Sequence, residues 1–111
     1  MLPAAVRILV CTIPQDMRRS FDTLALVVQQ ALVEDPQSGT LYVFVGKSAT
    51  RVKVLWWDRN GYCLLYKRLH RALFRMPETG EVSGSGLRID STALGQLLAG
   101  VSSGEKSRKS H

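Results

Sequence analysis

The apolar positions open with Val6-Arg-Ile-Leu-Val-Cys-Thr-Ile13, a run closed by Pro14 that predicts a first β-strand. Met17, Phe21, Leu24, Val28 and Leu32 then recur at spacings of four, three, four and four. That period predicts an amphipathic helix starting between Asp16 and Ser20, both able to cap, and running to about Val33. Its apolar stripe is the expected cover for a sheet. Glu34 to Gly39 reads as a turn, Leu41-Tyr-Val-Phe-Val45 as a second strand, and Gly46-Lys-Ser-Ala-Thr50 as a connector.

Lys53 to Arg68 carries two apolar runs around Asp58-Arg59-Asn60-Gly61 and predicts a β-hairpin, with Gly61 suited to a left-handed turn position and Asp58 to a bond back into the turn. Two registers fit. A two-residue Asn60-Gly61 loop sets Lys53 opposite Arg68, and a bulged turn sets Lys53 opposite Lys67. Both bring like charges together, at a cost on the order of 0.2–1 kcal/mol. Alternation puts one of Trp56 and Trp57 in the core and the other nearer the surface, without indicating which.

Leu69 to Pro77 fits either a helical turn or a short strand folding back. Glu78 to Gly86 reads as a glycine-rich loop and Leu87 to Asp90 as a strand. Asp90 or Ser91 caps a short helix of Leu94, Leu97 and Leu98 that ends near Gly100. The predicted fold is α+β: an antiparallel or mixed sheet with a central hairpin, one amphipathic helix on a face and a short C-terminal helix.

Length adds that the 111 residues form one domain, residues 1–101, followed by a Ser/Gly-rich tail, 102–111, without apolar anchors and expected to be disordered. The tail holds Lys106, Arg108 and Lys109. Fifteen Lys and Arg against nine Asp and Glu give a net charge of +6. Such a balance favours an acidic partner such as nucleic acid. Cys11 and Cys63 lie in apolar runs without metal-ligand spacing and read as small buried thiols. The N-terminal apolar run is too short to span a membrane and lacks a signal-peptide cleavage pattern, so a cytoplasmic bacterial-type protein is expected.

The sequence offers little catalytic chemistry. Gly46-Lys47-Ser48 imitates the end of a P-loop, but the glycine required five residues earlier is Leu41, and a strand pattern follows where a helix is needed. Asp16, Asp22, Asp35, Asp58 and Asp90 suit caps, turns and a helix first turn rather than converging on metal ions as a nuclease requires. No Ser/His/Asp or Cys/His arrangement is present, and His70, between Arg68 and Arg71, reads as a surface side chain. No cofactor and no metal are expected. The densest basic region remains: Lys47, Arg51, Lys53, Lys67, Arg68, Arg71 and Arg75, interleaved with Trp56, Trp57, Tyr62 and Tyr66. These cations are the candidate nucleic-acid-binding residues, because phosphate contacts from Lys and Arg are its ordinary means.

Asp16-Met17-Arg18-Arg19, Phe21-Asp22, Leu24, Asp35-Pro36, Ser38-Gly39, Val43-Phe44, Lys53, Leu55, Trp57-Asp58, Gly61 and Lys67-Arg68-Leu69 together resemble the TnpB accessory protein of insertion-sequence family sixty-six. The resemblance spans about Val6 to Gly100. It makes Asp16, Met17, Arg18, Phe21, Asp22, Trp57, Asp58 and Gly61 family-motif residues. It implies a non-enzymatic accessory protein for DNA transposition, encoded beside a separate DDE transposase, with transposon-end DNA and that transposase as partners. An adaptor for the transposase without direct DNA binding is the alternative. The chain departs from the family pattern at Ser20 and Thr23, where glycines are usual, and at Lys47-Ser-Ala-Thr50, where arginines are usual. His70 and Met76 stand where Glu and Trp are usual. The functional expectation therefore centres on Lys53 and the cations from Lys67 onward.

Overall fold

A computed structural model describes residues 6–102. Apart from Ser102, the expected tail lies outside the described residues. The elements are β1 (Ile8–Gln15), α1 (Phe21–Gln30), β2 (Leu41–Gly46), β3 (Arg51–Asp58), β4 (Gly61–Arg68), β5 (Ala72–Leu73), β6 (Glu81–Ser83), β7 (Gly86–Ile89), α2 (Ser91–Ala99) and β8 (Val101–Ser102). The fold is α+β. Its six-stranded sheet has the order β4-β3-β2-β1-β7-β6, and β5 with β8 forms a separate ribbon.

β1 and β2 pair in parallel, Ile8 beside Leu41 and Val10 beside Val43, while the other neighbours pair antiparallel. A parallel pair needs a crossover, and α1 supplies it. The unbroken apolar runs of β1 and β2 follow from burial on both faces. On one face Leu9, Cys11, Tyr42, Phe44 and Leu55 pack with Leu24, Ala25, Val28 and Leu32 of the α1 segment. On the other, Ile8, Val10, Val43, Val52 and Val54 pack with Ala93 and Leu97 of α2 and with Phe74.

Local sequence explains the helix limits. The Ser20 N–H donates to the Thr23 hydroxyl at 2.9 Å, closing the start of α1 one turn later than Asp16 would set it. Phe21 is consequently exposed at that start, although it belongs to the predicted stripe. The helix stops before Val33, which takes a left-handed φ of 53° and is 80% exposed. Asp90 caps α2 by accepting the Ala93 N–H at 2.8 Å, and Gly100 follows its end. A bidentate Arg7–Glu34 pair, 2.6 Å at its shorter contact, ties the start of β1 to the turn after α1.

The hairpin forms in neither predicted register. Asp58 pairs with Gly61 and Trp57 with Tyr62, so Arg59-Asn60 is the two-residue loop and Lys53 faces Tyr66. Arg59 carries the left-handed φ, 58°, and Gly61 does not. The like charges that meet are Arg51 and Arg68. Both tryptophans are half-buried: Trp56 joins the α2-side core, and Trp57 meets Tyr62 edge-on at 5.0 Å between centroids on the α1 side. Neither is the exposed member of the pair, because both faces of the sheet are covered.

Leu69 to Pro77 contains the short strand β5 and no helix. The Leu69 N–H donates to the Thr50 carbonyl at 2.7 Å and the Phe74 N–H to the Ala49 carbonyl at 2.6 Å, so this segment folds back onto the β2–β3 turn. The glycine-rich stretch holds β6, which pairs with β7 through a tight turn at left-handed Gly84. Cys11 and Cys63 are free, the first buried and the second half-buried. Burial pushes the Cys11 thiol above its ordinary pKa. No helix among the described residues is long and apolar enough to cross a membrane.

The register carries a test. Arg59→Asn is expected to stabilise the protein by about 1 kcal/mol, because Asn tolerates the left-handed region. Gly61→Ala is expected to be neutral or stabilising by up to about 1 kcal/mol, since a Cβ there meets nothing within 4 Å. Urea unfolding of both variants checks this, and a left-handed Gly61 would reverse the order.

Candidate functional site

Strand directions gather the cations. β1 and β2 run the same way, β3 starts where β2 ends, and β4 returns to that end. The loop after β1 (Asp16 to Ser20), the β2–β3 turn and the last residues of β4 therefore share one end of the sheet. Arg18, Arg19, Lys47, Arg51, Lys67 and Arg68 sit there. Arg71 stands just beyond β4 at a left-handed φ of 66° and is exposed. Arg75 diverges: it lines a groove of about 500 Å³ with Met76, Pro77 and the C-terminal part of α2.

Two candidate cations are engaged in holding the fold. Lys53 is only 7% exposed, and its Nζ donates to the Arg19 carbonyl and lies 4.8 Å from the centre of the Tyr66 ring. Its stem lies on the face that α1 covers, so Lys53 joins β3 to the loop before α1, and the ammonium is removed from the set free to meet a ligand. Lys67 points to the opposite face, where its Nζ donates to the Leu98 carbonyl at 2.7 Å. A cation placed from β4 against the last turn of α2 satisfies a carbonyl the helix leaves open and opposes its dipole.

Arg51, Arg68 and Lys47 are exposed or at the exposed rim, and among the described residues none of them forms an ion pair. Arg18 does. The Asp16 carboxylate accepts the Arg18 backbone N–H at 2.9 Å, Nε at 3.0 Å and Nη2 at 2.7 Å. Hydrogen bonding from the Arg18 side chain holds the Asp16 carboxyl well below the usual carboxylate range. Asp16 thus closes a turn and orients an arginine rather than capping α1.

The motif residues fall at two ends. Asp16, Met17, Arg18, Phe21 and Asp22 lie at the cationic end, whereas Trp57, Asp58 and Gly61 form the far tip of the hairpin. Asp22 occupies the first turn of α1, Asp35 accepts the Gln37 N–H in a turn, and Asp90 caps α2. Among the described residues no three His, Cys, Asp or Glu side chains converge as metal ligands would. Arg18 and Arg19 were outside the sequence-derived basic set. The sequence signal was available in their position directly after the first strand, at the end to which the connector also returns.

These features define a small α+β protein with a mixed sheet and one cation-rich sheet end. The chain matches the IS66 Orf2 like protein family over residues 6–108. It is 41% identical over 103 residues to the uncharacterized protein y4hO of Sinorhizobium fredii (strain NBRC 101917 / NGR234), covering 91% of this chain and 87% of that protein. It is 33% identical over 96 residues to the uncharacterized protein y4jC of the same strain, covering 86% and 80% respectively. No solved structure matches it. The chain belongs to the IS66 Orf2-like family, which carries an insertion-sequence context and a transposition-associated accessory role.

Placement of the two basic β3 residues separates their roles. Lys53→Ala is expected to destabilise the fold by about 1–3 kcal/mol, losing a charged hydrogen bond and a buried stem. Arg51→Ala is expected to leave stability unchanged or raise it by up to about 1 kcal/mol, because it relieves repulsion from Arg68. Chemical denaturation of the two variants distinguishes them.

Proposed function

We propose that this protein is a non-catalytic accessory factor for transposition of an insertion sequence and that it binds element DNA through the cationic end of its sheet. The observation that carries the reading is the set Lys47, Arg51 and Arg68, held together at one end without an ion pair among the described residues. Holding Arg51 opposite Arg68 is unfavourable alone, and a polyanion offsets that repulsion. Family membership supports the transposition context. Exposed Tyr66, on the same face as Arg68, adds a ring near the phosphate-binding cations.

A second reading is favoured by a different observation. β4 is an edge strand eight residues long, and Leu65 and Tyr66 on it are 41% and 51% exposed. An edge with free backbone groups and apolar side chains accepts an added strand, as an adaptor for a separate transposase would require.

Gel-shift titration against terminal inverted repeats and scrambled duplex tests both. The DNA reading expects log affinity to fall with log salt at a slope of about −0.9 per phosphate contacted, and each of Arg51→Ala and Arg68→Ala to make it shallower by about one contact. Lys67→Ala is expected to change it less, since that ammonium serves α2. No shift at low salt, with co-purification of the transposase lost on Leu65→Lys, overturns the DNA reading in favour of the adaptor.

A further inference from the structure

We propose that the cleft between the Asp16–Arg18 loop and the β2–β3 turn is a phosphate-binding site that takes one backbone phosphodiester of DNA; this rests on the DNA-binding reading above. The cleft, about 420 Å³, lies between Gln15 to Arg18 on one side and Gly46, Lys47, Ser48, Thr50 and Arg51 on the other. Two further grooves carry balanced charge: Arg75 with Glu78 in one, and Arg7 and Arg88 with Glu81 and Asp90 in the other. The cleft has Arg18, Lys47 and Arg51 against Asp16 alone. Of the three it is the one with an excess of positive charge, and the cations come from separate segments of the chain.

Its geometry is prepared. Asp16 takes up Arg18 Nε and Nη2, fixing the guanidinium plane and leaving Nη1 without a partner among the described residues. Arg and phosphate match through just such N–H donors. The Ser48 and Thr50 hydroxyls hydrogen-bond to each other at 2.8 Å on the opposing turn, which leaves one O–H donor to serve an oxyanion. The two walls are seated on each other: a Cβ at Gly46 would stand 2.7 Å from Met17 Cγ, so only a glycine lets Met17 lie over the end of β2. The Asp-Met-Arg motif thereby acquires a division of labour, in which Met17 anchors the loop, Asp16 orients and Arg18 binds.

The test titrates the full chain with inorganic phosphate and, separately, with a short duplex lacking terminal phosphates, following backbone amide signals by NMR. Saturable shifts confined to Gln15–Arg18 and 46–51 are expected with inorganic phosphate, and shifts that include these two segments are expected with the duplex. Arg18→Ala and Arg51→Ala should abolish the shifts with inorganic phosphate, and Arg75→Ala should leave them intact. Arg18 is 91% exposed, so its removal does not threaten folding. In gel shifts Arg18→Ala is expected to make the salt slope shallower by about 0.9. Duplex binding with an unchanged slope in Arg18→Ala overturns the cleft while leaving the DNA reading standing. Shifts with inorganic phosphate but none with duplex overturn the phosphodiester assignment and point to a free phosphate ligand. Shifts with neither probe overturn the proposal outright.

Discussion

The parallel pairing of β1 with β2 is the constraint on which the rest of the structure depends. Parallel strands cannot be joined by a tight turn, so the chain must leave the sheet, cross one face as α1 and return. Their apolar side chains then point to both faces, and the second face must also be covered. α2, Phe74, Leu69 and Met76 do this. The same pairing places the loop after β1 beside the turn after β2. The cationic end is thus a product of topology rather than of a contiguous basic stretch.

The hairpin shows what the sequence reveals and what it conceals. Two apolar runs around Asp58-Arg59-Asn60-Gly61 were sufficient to locate it, because only a turn relieves that pattern. The loop itself was ambiguous, since Asn60 and Gly61 both tolerate unusual backbone and draw attention from Arg59. Packing chooses instead. The observed pairing places Leu64 and Tyr62 on the α1 side with Leu55, and a slip by one residue moves them to the other face. The fate of Lys53 follows from the same alternation: it shares its face with Leu55 and Trp57, which α1 covers. Had Lys53 been assigned by face rather than by charge, its burial was legible.

Elsewhere the limits are those of weak local signal. β6 has one apolar residue, Val82, and that residue is exposed, so nothing in Glu81-Val-Ser83 announces a strand. Pairing with β7 alone creates it. Leu69 to Pro77 was ambiguous because its conformation is imposed by long-range bonds to Ala49 and Thr50. The helices were more legible in position than in length, since the Thr23 hydroxyl and the left-handed backbone of Val33 set the ends of α1 and periodicity records neither. For the candidate site, the cations could be named from composition. Their sorting into structural and free members required knowing which carbonyls lie within reach.

The strand directions also sort four of the acids. Glu34 and Asp35 precede β2, Asp58 lies at the hairpin tip and Asp90 follows β7, all at the end opposite Lys47, Arg51 and Arg68. The molecule is therefore polar along its strands, with an electric moment that a net charge of +6 does not express. In the field of a polyanion such a body experiences a torque as well as an attraction, and it turns its basic end forward before contact. Orientation is then settled during diffusion, over distances comparable to the Debye length, about 8 Å at physiological salt.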